Sequence, residues 1–210
     1  TGDNDGEIKL TVEINEDGKV HYVVTDIELS ATPSAIDIKN VNIQEAINIG
    51  SKSLTANTKA AVIIQNLLPD KEHYIYLVAE DTTDNLADVK KLTAISKIVQ
   101  GDGSEGEPYK IWYIEDLASV GKGSWELDDN YILMRNLDFY AKSSYKNFKY
   151  DFITGKGWDP IGDKSNKFTG NFNGNGKTIS GIYIYENKGI AGLFAYVENS
   201  GIITNLGVLN

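Results

Sequence analysis

One short stretch governs how this chain can fold. Gly101-Asp102-Gly103-Ser104-Glu105-Gly106-Glu107 is Gly-rich, acidic and free of apolar residues, and the hydrophobic pattern differs on its two sides. A segment with no apolar side chain contributes nothing to a core, so it predicts a linker at 101–107 between a module at 1–100 and another at 108–210. With 210 residues, 41% of them apolar, the chain is long enough for two cores of ordinary size.

On the N-terminal side the pattern has a period of two. Ile8, Leu10, Val12 and Ile14 alternate with Glu7, Lys9, Thr11 and Glu13, as in a strand buried on one face. Asn15-Glu16-Asp17-Gly18 then supplies turn residues and Lys19 to Val24 returns, which predicts a hairpin. Thr32-Pro33 reads as a helix start, with Ile43, Ala46 and Ile47 at helical spacing and Gly50 as the stop. Strands are predicted at Ala60 to Gln65, His73 to Glu80 and Val89 to Ile98. That order suits a small β-sandwich.

The run Leu67-Leu68-Pro69-Asp70-Lys71-Glu72-His73-Tyr74-Ile75-Tyr76-Leu77-Val78-Ala79-Glu80-Asp81, with Tyr22-Val23-Val24 and Thr32-Pro33-Ser34, resembles the fibronectin type III variant of bacterial surface proteins. The resemblance covers most of residues 6 to 98. His73 stands where that family carries a corner tyrosine, and is expected to be buried in a structural hydrogen bond in its place.

After Pro108, turn glycines become dense, and apolar residues recur three apart in Met134/Leu137, Ile179/Ile182 and Ile203/Leu206. The last two pairs are offset by 203 − 179 = 24 residues, a spacing that marks a solenoid of roughly 20 to 50 residues per repeat. Ile179, Ile182, Ile203 and Leu206 are then expected to share one interior with Phe172, Leu193 and Phe194.

This half resembles the start of bacterial β-helix proteins with the GLUG motif. The matching residues are Pro108 to Ile111, Glu115 to Ala118, Trp158 to Gly162, Phe168 to Ile179, Ala191 to Phe194 and Ile203 to Gly207. The resemblance implies that Tyr113 to Val120 is a short helix capping the first coil, and that the solenoid is truncated at the C-terminus. The expected fold class is all-β, a fibronectin-III-like β-sandwich followed by a capped β-helix start.

The charge is −10, from 20 basic and 30 acidic residues, and no Lys/Arg run forms a phosphate footprint, which argues against a nucleic-acid partner. No apolar run approaches a membrane span. With no cysteine there is neither a disulfide nor a thiolate metal site. The two histidines, His21 and His73, lie in separate predicted strands, so no zinc-protease pair exists. Gly174-Asn175-Gly176 is too short to cradle a phosphate and reads as a turn.

Asp128, Asp129, Asp138, Asp151, Asp159 and Asp163 fall mostly in predicted turns, where Asp is favoured by local hydrogen bonds. Asp81, Asp84 and Asn85 offer three of the six to eight oxygens that calcium takes, and read as turn chemistry. Catalytic, cofactor and metal residues are therefore expected to be none.

The tryptophans Trp112, Trp125 and Trp158 are assigned to the core. The aromatic and Lys-rich insertion Phe139 to Phe152 is the expected contact surface, through Tyr140, Tyr145, Phe148 and Tyr150. Together these readings point to a non-catalytic cell-surface adhesion or scaffold module of a large secreted bacterial protein, partnered by a host glycan or matrix protein. The alternatives are the non-catalytic N-terminal region of an enzyme resembling immunoglobulin-A-cleaving metallopeptidases, or a carbohydrate-active β-helix enzyme.

Overall fold

The computed structural model describes residues 2–148, 152–185 and 189–209. Among the described residues the fold is all-β with two short α-helices and a 3-10 turn, and it divides into two compact units, Thr1–Val99 and Gln100–Asn210.

In the first unit β1 (Ile8–Val12) pairs antiparallel with β4 (Ala60–Ile64), Ile8 opposite Ile64 and Val12 opposite Ala60. A second sheet has the order β3-β2-β5-β6, from β2 (Gly18–Thr25), β3 (Ala46–Leu54), β5 (Glu72–Asp81) and β6 (Lys90–Ile95). Ile8, Val62 and Ile64 of one sheet pack with Val20, Val24, Ile75 and Leu77 of the other. The opposite face of the larger sheet packs Val23, Tyr76 and Val78 against Ile38 of α1 (Ala35–Asn40).

Two expectations are corrected here. The predicted hairpin does not form, because β1 and β2 lie in different sheets. Their apolar faces meet across the core instead of lying side by side. A period of two identifies a half-buried strand but says nothing about its partner.

The predicted helix is displaced as well. Ser34, not Thr32, is the N-cap, its hydroxyl accepting from Asp37 N, and Val41 closes the helix in the left-handed region at φ 58°. Ala46, Ile47 and Gly50 belong to β3, which pairs with β2 from Gly18 to Thr25. A few residues at helical spacing gain little alone, whereas a strand docked along an existing sheet pairs its backbone along the whole of one edge.

His73 is fully buried, as expected of a structural residue. Its Nε2 lies 3.1 Å from Leu68 O, and its Nδ1 lies 3.0 Å from Asp26 Oδ1. The His73 ring and, less strongly, Lys71 hold the Asp26 carboxyl below its usual range.

In the second unit the strands are parallel, in the order β11-β10-β8-β7. They are β7 (Tyr109–Ile111), β8 (Asn130–Leu133), β10 (Asn171–Ser180) and β11 (Ile202–Leu209), and β9 (Leu137–Asp138) also pairs with β10. Register aligns Tyr109 with Tyr131, Tyr131 with Phe172 and Phe172 with Ile203. Farther along, Leu137 aligns with Ile179 and Ile179 with Val208.

The 24-residue offset is thus not the register. Phe172 and Ile203 are 203 − 172 = 31 apart, and Ile179 and Val208 are 208 − 179 = 29 apart. Between Asn173 and Lys177 β10 carries Gly174, Asn175 and Gly176, where β11 carries only Asn205 between Thr204 and Leu206. This corner removes the constant spacing that the repeated letters suggested.

Ile179, Phe172 and Leu193 are buried in one core, with Ile182, Leu206 and Phe194 packed against it. Ile203 departs from expectation at 39% exposed, because β11 pairs only with β10 among the described residues. The stretch Gly101 to Glu107 has no helix or strand. It folds on itself and onto its own unit, with Gly103 N donating to Glu107 O and Asn130 N to Gly103 O.

Candidate functional site

Of the four residues expected to form a contact surface, Tyr145 and Phe148 pack on the core. Tyr145 is buried, its hydroxyl donating to Phe139 O at 2.8 Å, and Phe148 packs edge-on against it at 4.8 Å. Both corrections have one cause: Tyr145 and Phe148 pack with the cluster to which fully buried Phe139 belongs. Tyr140 is 65% exposed, set over Gly181, whose α-carbon leaves room for the ring. Tyr150 lies outside the described residues.

Trp158 is buried, as a core role requires, and its indole N–H donates to Leu193 O at 3.1 Å. Trp125 stacks on Tyr109 at 4.6 Å between centroids. Trp112 is partly buried, its Nε1 enclosed and without a hydrogen-bond partner among the described residues.

The Asp81 loop is a hydrogen-bonded turn. Asp81 Oδ1 accepts from Thr83 N at 2.8 Å and Asn85 N at 2.9 Å, and Oδ2 accepts from Asn85 Nδ2 at 2.7 Å. These donors, Asn85 foremost, hold the carboxyl down at about 2. Its lone pairs are committed to the turn. Nearby, Glu80 is buried and binds both His21 Nε2, at 2.6 Å, and Lys39 Nζ, an ion pair that ties α1 to the sheet.

Asp116 sits in α2 (Ile114–Leu117). Its Oδ2 accepts from Trp112 N and Tyr113 N, each at 2.9 Å, and burial pushes its carboxyl up to about 6. That lies above the 3.8 of an ordinary aspartate, so the group favours folding fully only below about that pH. Its contribution is lost as pH rises through about 6. We expect the second unit to lose roughly 2–3 kcal/mol through this group between about pH 4 and pH 7. In Asp116→Asn that slope should flatten in thermal melts across the range; an unchanged slope would assign it elsewhere.

A cleft of about 760 Å³ lies in this unit. One wall is the segment from Ala118 to Asp128, the other runs from Trp158 to Thr169, and Glu198 also lines the cleft. The walls are tied together, since Leu127 O accepts from Thr169 N at 2.9 Å and Gly170 N at 2.8 Å. Trp158 and Ile161 are buried at its base, Ile161 N donating to Leu193 O at 2.9 Å.

The lip is fixed by Asp163, whose carboxylate accepts from Ser165 N and Asn166 N and is held below its usual range chiefly by Asn166. Lys167 pairs with Glu198 at 2.7 Å. Lys122, Glu126, Asp128 and Lys164 also line the cleft, with no hydrogen-bond or ion-pair partner for their side chains among the described residues.

Asp128, Asp159 and Asp163, read individually as turn residues, therefore come together with Glu126 and Glu198. Their separation of about 70 residues in the chain gave no local signal of this. Asp129 is not in the lining; it accepts from Glu126 N at 2.6 Å. Asp138 accepts from Tyr140 N, and Asp151 lies outside the described residues.

Over 113 residues, 51% of its length, the chain is 33% identical to a Gly-rich membrane protein of Evansella cellulosilytica. Over 123 residues, 56% of its length, it is 31% identical to halomucin of Haloquadratum walsbyi. These stretches amount to 12% and 1% of the two relatives' lengths. No family model matches the chain, and no solved structure matches it.

Proposed function

We propose that the chain is a non-catalytic adhesion or scaffold module of a secreted, cell-surface bacterial protein, in which a fibronectin-III-like sandwich precedes the start of a capped β-helix. The observation that carries this reading is the aligned series Tyr109, Tyr131, Phe172 and Ile203 on successive parallel strands. Stacking of that kind extends a structure along one axis and generates lateral binding area. The names of the two relatives, a membrane protein and a halomucin, support placement at a surface. Among the described residues no helix is long and apolar enough to cross a membrane.

The non-catalytic part rests on the state of the chemical groups. His73 is sealed in the core, Asp163 is committed to a turn, and the raised carboxyl, Asp116, is committed to a helix cap. The convergence of Glu126, Asp128 and Asp159 in one cleft favours the carbohydrate-active enzyme as the second reading. Retention of the chain on immobilised glycans or matrix proteins tests the first. Binding to none of them, across salt concentrations, would contradict it.

A further inference from the structure

Among the described residues, the charged cleft side chains without a partner include two ammonium groups, Lys122 and Lys164, and two carboxylates, Glu126 and Asp128. An anionic ligand would meet the carboxylates and a cationic one the ammonium groups, so neither sign of charge is served by the whole set. Hydroxyl groups use both, accepting from ammonium and donating to carboxylate.

The cleft falls within the 300–1,000 Å³ typical of small-ligand sites, and its base is held by buried Trp158 and Ile161. Trp158 has its face covered and its N–H used, so recognition there relies on hydrogen bonds without ring stacking. We propose that this cleft binds a neutral, hydroxyl-rich saccharide. The proposal rests on the surface-module reading and deepens it by naming the ligand class.

The test uses the full chain, isotope-labelled, titrated with cellotetraose, a galacturonic acid tetramer and a glucosamine tetramer. The expected result is saturable binding of the neutral tetramer, with shifts centred on the Trp158 indole and the Gly121 and Gly162 amides. Asp128→Asn and Lys164→Met should each weaken binding at least about tenfold, because each leaves a ligand hydroxyl poorly paired. Both residues are exposed, so both variants should keep the parent spectrum elsewhere.

No saturable cleft shifts with the neutral tetramer, or binding of only one charged tetramer, would overturn the proposal. Saccharide binding with shifts outside the cleft, unaffected by either variant, would also overturn it while leaving the surface-module reading intact. Retention of the chain on no glycan or matrix protein would remove that reading separately.

Discussion

Phe172→Asp should unfold the second unit and leave the first folded. Phe172 is fully buried, aligned between Tyr131 and Ile203 and in edge contact with Phe194 at 5.5 Å. Losing a buried phenylalanine costs about 3–5 kcal/mol, and an unpaired carboxylate in its place adds several more. Domains of this size are stable by only about 5–15 kcal/mol. The first unit has separate core clusters, in which Phe172 takes no part. In a two-dimensional amide spectrum, signals from 100–209 should collapse while those from 2–99 persist. Ile203→Asp is the contrasting case. At 39% exposed, Ile203 should cost no more than about 1–2 kcal/mol, and its variant should stay folded.

Gly6→Ala should have the next largest effect, confined to the first unit. Gly6 has φ +66°, and a Cβ added there would lie 2.0 Å from Leu67 O, a backbone atom that cannot rotate away. Gly6 also joins two chain segments, its N–H donating to Lys97 O at 2.9 Å and its carbonyl accepting from Leu67 N at 3.0 Å. The left-handed conformation alone costs an alanine about 1–2 kcal/mol, and forcing the backbones apart adds roughly 1–3 more. A denaturant midpoint for the first unit within error of the parent would show that the N-terminal segment relaxes freely.

Much of this fold can be read from local pattern, and what cannot is non-local. The alternation of Ile8, Leu10 and Val12 identifies a strand, and burial follows it, but only long-range packing decides that Ile8 pairs with Ile64. Ile43, Ala46 and Ile47 have helical spacing by coincidence; Ala46 and Ile47 are strand residues because β2 offers an edge. The repeated pairs Ile179/Ile182 and Ile203/Leu206 resemble one another in letters, yet Gly181 at φ +68° turns the first pair off its strand while Asn205 at φ 52° bends within the second.

The candidate site was the least legible part. Aromatic richness between Phe139 and Phe152 pointed to a surface, whereas Phe139 and Tyr145 are buried in the core and Tyr140 is exposed. Asp128 and Asp159 read as separate turn residues, and Glu198 carried no signal. Only the close approach of the two walls, fixed by Leu127, Thr169 and Gly170, places them in one cleft with Lys122 and Lys164.

As proposed above, this chain binds without turning anything over, and the cleft carboxylates are where that reading is most exposed to contradiction. The direct measurement is prolonged incubation of the chain with neutral polysaccharides, pectins and immunoglobulin A, with and without calcium or zinc, assayed for new reducing ends, unsaturated sugars and cleaved chains. No turnover above the blank is expected under any condition. Turnover abolished by Glu126→Gln, Asp128→Asn or Asp159→Asn would contradict it and make the cleft an active site.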